Sequence, residues 1–253
     1  MDIRESSDLA AAGERHFWET ARFFFLSRLL KRYAPHAKTI LDVGCGDCFV
    51  LSSLAYSHPD ATLLGVDPAL QRDAIVLLKR RFPENAAVTL ATDFRACRAA
   101  APAELILLLD VLEHVENEET FLRELSGVLD DAGIVVVTVP AFQCLFSDHD
   151  VFLHHFRRYN RRQLCEVLSR SGFQVLTSGY LFHSLLLCRL LQKLLRRPAA
   201  GAQALQAGNP LFNRLFAFLL EADALFTFGV SRLGLPFPGL SCAAVVRKAN
   251  RTG

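Results

Sequence analysis

Thr39-Ile-Leu-Asp-Val-Gly-Cys-Gly-Asp-Cys48 is the stretch that decides the architecture. Thr39 to Val43 reads as a short buried strand. Gly44 and Gly46 follow, where a Cβ would obstruct both a sharp bend and a closely approaching ligand. Phe49, Val50, Leu51, Leu54 and Ala55 then recur at helical spacing. Strand, glycine turn and helix start together make a ligand crevice at the carboxyl end of a parallel sheet.

Outward from this turn the chain alternates strands and helices. Residues 61–66 predict a second strand ending in Gly65-Val-Asp67-Pro68, and 69–82 a helix. A third strand at 88–91 runs into Asp93-Phe94. The apolar run 104–109 has the pattern of a central parallel strand buried on both faces, and it delivers Asp110-Val-Leu-Glu113-His114 to the same rim. A helix over 118–129, a strand over 133–139, a helix over 161–171 stopped by Gly172, and a strand over 173–180 continue the series. Residues 240–248 alternate enough to predict an antiparallel edge strand. The expected class is α/β: a Rossmann-like, doubly wound, seven-stranded sheet, mostly parallel with an antiparallel last strand. Three parts are expected: a helical lid over 1–36, a core over 37–180 and 240–250, and an apolar helical insertion over 181–239.

Composition narrows the class. The 253 residues suffice for one elaborated α/β domain. A hydrophobic fraction of 51% with twenty Phe is high for a soluble enzyme. The formal charge of +2 gives no reason to expect nucleic acid as a partner. Met-Asp-Ile-Arg-Glu-Ser at the start lacks a signal-peptide pattern, and seven scattered cysteines argue against a disulfide scaffold. The expected location is the cytoplasm, with the option of a peripheral position on the inner face of a membrane.

Which ligand fits the crevice follows from Phe49 and Asp42. A dinucleotide fold places a third glycine where Phe49 stands. The Asp42 carboxylate would repel a pyrophosphate but suit an ammonium and a sulfonium, which S-adenosylmethionine (SAM) combines. The Asp-Val-Gly-Cys-Gly turn resembles the first motif of the class I SAM-dependent methyltransferases, departing from it at Cys48, where that family usually has another glycine. The resemblance covers about residues 14–180 plus the last strand and implies SAM as cofactor. In it Asp42, Gly44, Cys45 and Gly46 surround the methionine part, and Asp110 lies beside it. His16-Phe-Trp with a following arginine resembles the leader of several small-molecule methyltransferases and gives Arg22 the SAM carboxylate. Asp67, followed by Pro68, stands about twenty residues past the glycines, where an acid accepts from both ribose hydroxyls of a nucleoside. Asp93 is implied for the adenine amino group and Phe94 for the wall against its ring.

The acceptor side is expected in Ser147-Asp-His-Asp-Val-Phe-Leu-His-His-Phe-Arg-Arg-Tyr-Asn160. This segment resembles the substrate cap of one methyltransferase subgroup. His149 or His155 would act there as general base, since an imidazole titrates near ~6.5 in water. Arg157, Arg158, Arg161 and Arg162 could meet a phosphate on the acceptor or its carrier. Asp110-x-x-Glu113-His114 resembles the Glu-x-x-Glu-His cluster of ubiquinone-pathway O-methyltransferases and small-RNA 2′-O-methyltransferases, which makes Asp110, Glu113 and His114 candidate ligands for a divalent metal, with His149 or His155 as the natural additional ligand. The metal-free base is the preferred reading. In the insertion, Leu185, Leu186, Leu190, Leu191, Leu194 and Leu195 are predicted on one helix face, with Arg189, Lys193, Arg196 and Arg197 toward the other. Leu211, Leu215, Phe216, Leu219, Phe226 and Phe228 make a second apolar helix. Such faces suit an anionic bilayer surface, the protein's own sheet, or a second copy of the chain.

The function expected is methyl transfer from SAM to a small, hydrophobic or lipid-like acceptor, most readily at a hydroxyl. A non-catalytic SAM-binding partner subunit and an NAD-type oxidoreductase are the alternatives.

Overall fold

A computed structural model describes residues 17–95, 102–195, 210–235 and 237–249. The first part of the predicted lid, with His16, and Arg196 and Arg197 of the insertion lie outside the described residues, as does the side chain of Leu211.

The uninterrupted apolar run becomes strand β4 (Ala103–Leu109), in which Leu105 to Leu108 are wholly buried. Its neighbour β1 (Thr39–Val43) pairs with it in parallel, and β2 (Thr62–Val66) pairs in parallel on the other side of β1. With β3 (Ala87–Ala91), β5 (Leu129–Pro140), β6 (Phe173–Leu181) and β7 (Ser241–Lys248), the seven strands are ordered β3-β2-β1-β4-β5-β7-β6. The chain reverses its direction of winding between β1 and β4, and ligands of such sheets bind at the carboxyl ends of strands at that point.

Alternate residues of these strands feed two cores. One face carries Ile40, Leu63, Leu105, Leu107 and Val245 against helices α1 (Phe17–Tyr33) and α2 (Phe49–Ser57). After α3 (Arg72–Lys79), the opposite face carries Leu41, Leu64, Ile106 and Val137 against α4 (Glu118–Ser126). A short helix, α5 (Asp148–Phe152), precedes α6 (Arg161–Arg170), which packs on that second face. Each fully buried Leu stabilises such a core by roughly 1.5–3 kcal/mol.

Strand β7 departs from the expected edge position. It lies antiparallel between β5 and β6, so β6 forms the edge. Cys242 to Val246 are all fully buried. The run Cys-Ala-Ala-Val-Val has no polar residue to turn to solvent, and an interior position covers both its sides.

The insertion forms α7 (His183–Leu194) and α8 (Pro210–Arg232). Helix α8 lies against β6 and α1. Gly179 permits that approach, because a Cβ there would stand 2.6 Å from Phe228 and 2.7 Å from Ser231 Oγ. The Tyr180 N–H donates to Ser231 Oγ at 2.8 Å, fastening helix to strand.

Candidate active site

The glycine turn after β1 holds its shape through backbone conformation and one acid. Gly44 has φ +75° and Gly46 φ +52°. A Cβ on Gly44 would come within 2.5 Å of Val111 Cγ2, so this glycine is required by space as well as by φ. Cys48, where the resemblance places another glycine, keeps the left-handed conformation at φ +62° and is wholly buried. The departure is therefore in side chain only. Asp67 Oδ2 accepts from the Gly46 N–H at 3.0 Å, which brings the end of β2 onto the turn. On the far side Arg81 donates to Asp47 Oδ2 at 2.7 Å and to its carbonyl at 2.9 Å. Arg81 carried no sequence signal.

A cleft opens beside this turn, lined by Glu19, Arg22, Asp42, Gly44, Cys45 and Phe49. Asp42 is buried at its floor. Desolvation pushes its carboxyl up to about 7, while the Arg22 charge works in the opposite direction. Buried acids beside two glycines suit a compact ligand with a cationic end better than a pyrophosphate.

Arg22 is buried at the cleft, and its guanidinium donates to Asp110 Oδ2 while stacking over Trp18 at 4.6 Å. Asp110 also accepts from Thr138 Oγ1 at 3.0 Å, and its φ of +58° places it in a region that costs a non-glycine residue of order 1 kcal/mol. In this state the two residues implied for the methionine part hold one another.

The remaining cofactor candidates stand on the same rim. Pro68 is exposed after the half-buried Asp67. Asp93 is exposed and accepts from the Arg95 N–H at 2.9 Å, which with the Arg95 side chain holds its carboxyl below the usual range. Phe94 is buried, edge-on to Phe121 at 5.5 Å.

Across the rim, the segment after β5 folds back over the turn Leu112–His114. The Phe156 N–H donates to the Glu113 carbonyl at 2.8 Å, and the Tyr159 hydroxyl donates to the Leu112 carbonyl at 3.3 Å. His155 is thereby brought edge-on to His114, ring centroids 4.6 Å apart. Behind His155 stands Asp150, fully buried, with Oδ1 2.9 Å from its Nδ1. Arg158 grips the same carboxylate from Nε at 2.7 Å and Nη2 at 3.0 Å. The Ser147 N–H and hydroxyl complete the set at 2.9 and 3.0 Å. Burial alone would raise the Asp150 carboxyl, but these donors hold it well below the usual range.

Two expectations change here. Asp110 points to Arg22 and Thr138, so it leaves the predicted metal trio. The groups that do converge are Glu113, His114 and His155, whose nearest ligand atoms lie within 4.8 Å of one another. Glu113 is wholly buried, and neither carboxylate oxygen has a hydrogen-bond partner among the described residues. Burial, reinforced by the Asp110 charge, pushes its carboxyl well above the usual range. His149 is exposed on α5 and stands outside this cluster.

The four arginines are used within the chain. Arg157 pairs with Glu118 and donates to the Val115 and Glu116 carbonyls at 3.0 and 2.8 Å. Arg158 pairs with Asp150, Arg161 donates to the Ser231 carbonyl, and Arg162 meets Glu166 at 2.7 Å on the surface.

Residues 17–178 match the model of a family described as a methyltransferase domain. A probable S-adenosylmethionine-dependent methyltransferase of Mycolicibacterium smegmatis is 24% identical over 178 residues, covering 67% of this chain and 64% of that protein. A ubiquinone biosynthesis O-methyltransferase of Azorhizobium caulinodans is 31% identical over 130 residues, covering 49% of this chain and 46% of that one. The plantazolicin methyltransferase solved with SAH superposes with a TM-score of 0.55 at 13% identity, over 90% of this chain and 84% of that one. The chain spans only 56 to 64% of the length of the first mycobacterial relatives.

Proposed function

This chain belongs to the methyltransferase-domain family, that of the class I SAM-dependent enzymes, and on that premise we propose that it methylates a hydroxyl of a small, hydrophobic or lipid-like acceptor. The observation that carries the reading is the pairing of a cation-suited cleft at Asp42 with a buttressed imidazole at His155 on the same rim.

SAM supplies an activated methyl on its sulfonium, which passes in line to the acceptor oxygen as the carbon–sulfur bond breaks. Positioning therefore provides most of the acceleration. Asp42 would meet the ammonium end of the ligand, with Gly44 and Gly46 allowing close approach. Arg22 would exchange Asp110 for the ligand carboxylate. Asp67 and Asp93 would take the ribose hydroxyls and the adenine amino group, beside Phe94. The acceptor hydroxyl must lose its proton, and His155 Nε2 takes it. Asp150 positions the ring by accepting from Nδ1–H, leaving Nε2 as the acceptor.

One observation favours a second reading, a divalent metal on Glu113, His114 and His155. A wholly buried carboxylate without a hydrogen-bond donor is costly, and a cation would satisfy it. One carboxylate and two imidazoles suit Zn²⁺, Mn²⁺ or Fe²⁺ better than Mg²⁺. Such an ion would lower the pKa of a coordinated acceptor hydroxyl.

Incubation with methyl-labelled SAM and separate lipid, polar-metabolite and RNA extracts tests the acceptor class. Label in the lipid phase is expected, and label confined to polar metabolites or RNA contradicts it. Full turnover in EDTA, lost in His155→Ala, supports the base. Loss in EDTA with recovery on added Zn²⁺ or Mn²⁺ selects the metal.

A further inference from the structure

Glu19 has no role in the family resemblance, yet it lines the same cleft as Asp42 and Arg22. It stands on helix α1, three residues before Arg22, and is 5% exposed. Residues three apart on a helix are neighbours, their Cβ atoms about 5–6 Å from one another. Both side chains reach the cleft, so α1 presents an acid and a guanidinium there side by side.

The charges of the cleft are the inverse of those on the methionine end of SAM. That end holds an ammonium, a sulfonium and a carboxylate, two cations to one anion. The cleft wall holds Glu19, Asp42 and Asp47 beside Arg22, and Asp47 is gripped by Arg81 at 2.7 Å. Two acids and one guanidinium therefore face the ligand. Asp42 by itself serves a cation incompletely. Desolvation pushes its carboxyl up to about 7, so near neutral pH much of it carries a proton.

Position points the same way. The ammonium and carboxylate of an α-amino acid branch from one carbon, and groups that recognise both must stand next to each other. Glu19 and Arg22, one helical turn apart, meet that condition. Trp18 lies against the Arg22 guanidinium at 4.6 Å and restricts its plane. Glu19 also interacts within the chain in this state, as Arg22 does with Asp110, and an incoming amino-acid end would share or displace both contacts.

We propose that Glu19 binds the ammonium of the SAM methionine end, so that Glu19 and Arg22 together select a ligand with an α-amino acid end. The inference rests on SAM as the cofactor and is independent of the acceptor.

Competition against labelled SAM in equilibrium dialysis tests it with two ligands. One is S-adenosylhomocysteine (SAH); the other is its desamino analogue, which keeps the carboxylate and lacks the ammonium. Glu19→Gln removes the charge and keeps the shape. It should weaken SAH about 10-fold and change the affinity of the desamino analogue by less than about 2-fold. Glu19→Asp, which keeps the charge on a shorter stem, should recover part of the loss. SAH affinity left unchanged by Glu19→Gln overturns the proposal. So does an equal loss for both ligands, or failure of both variants to fold by circular dichroism, since either marks a structural acid. A wild type that binds no SAM overturns the cofactor reading along with the proposal. SAM binding that is intact but insensitive to Glu19→Gln overturns the role of Glu19 alone.

Discussion

His155 Nδ1 lies 2.9 Å from Oδ1 of Asp150, a carboxylate with no exposed surface. The ring's orientation is set from behind, by a group that solvent does not reach. Because Arg158 and Ser147 hold that same carboxylate, the imidazole inherits a fixed direction rather than a mobile one.

His155→Ala should therefore lower kcat by about 100- to 10,000-fold, the usual worth of a positioned base. SAM affinity should stay near the wild-type value. Asp150→Asn should lower kcat by roughly 10-fold or more by upsetting the tautomer. His149→Ala should leave kcat nearly unchanged. Steady-state kinetics with the acceptor found by labelling checks all three.

Asp150 also makes stability depend on acid. Its folded carboxyl is held below the ordinary value of 3.8, so the stabilisation is present above that pH and fades as pH falls through the lowered value. Asp150→Ala leaves Arg158 buried without its partner and should cost about 3–5 kcal/mol at neutral pH. Urea titration at pH 7 and near pH 2 should show a smaller difference between wild type and variant at the lower pH.

The conformation of Cys48 gives a sharper contrast. Both Cys48→Ala and Cys48→Gly remove a buried thiol, but only alanine keeps a Cβ at φ +62°. Cys48→Gly should be the more stable of the two by about 1 kcal/mol. The reverse order in urea unfolding would mean that the left-handed turn carries no strain.

Asp42 predicts a pH dependence of cofactor binding. Its carboxyl sits at about 7 in the free protein, and a cationic ligand binds the ionised form. SAM affinity should rise with pH from below 6 to above 7, approaching tenfold per unit at the low end. For stability the sign is opposite, since a raised carboxyl favours the folded state less as pH rises from 3.8 toward 7. Asp42→Asn should flatten both trends.

Much of this was legible because the signals were local. The glycine turn, the apolar run of β4 and the acids at strand ends are each readable within ten residues. The interior place of β7 was not: five apolar residues in a row look alike at an edge or between neighbours, and only long-range pairing decides. The Arg22–Asp110 pair spans 88 residues of sequence and left no trace in either local motif. Asp150 has one local signal, since Ser147-x-x-Asp150 has the spacing of a capping box. That spacing explains the Ser147 contacts but gives no hint of His155 and Arg158. Glu113 was read with Asp110 because both lie on one rim. The positive φ of Asp110 then turned that side chain the other way.

The most direct test is calorimetric titration of the wild-type chain with SAM near pH 8. One SAM per chain is predicted, weakened about 10-fold or more by Asp67→Ala, which removes a charged hydrogen-bond acceptor, and undiminished by His155→Ala. No heat of binding, or an affinity that Asp42→Asn and Asp67→Ala both leave unchanged, would contradict the account at its root.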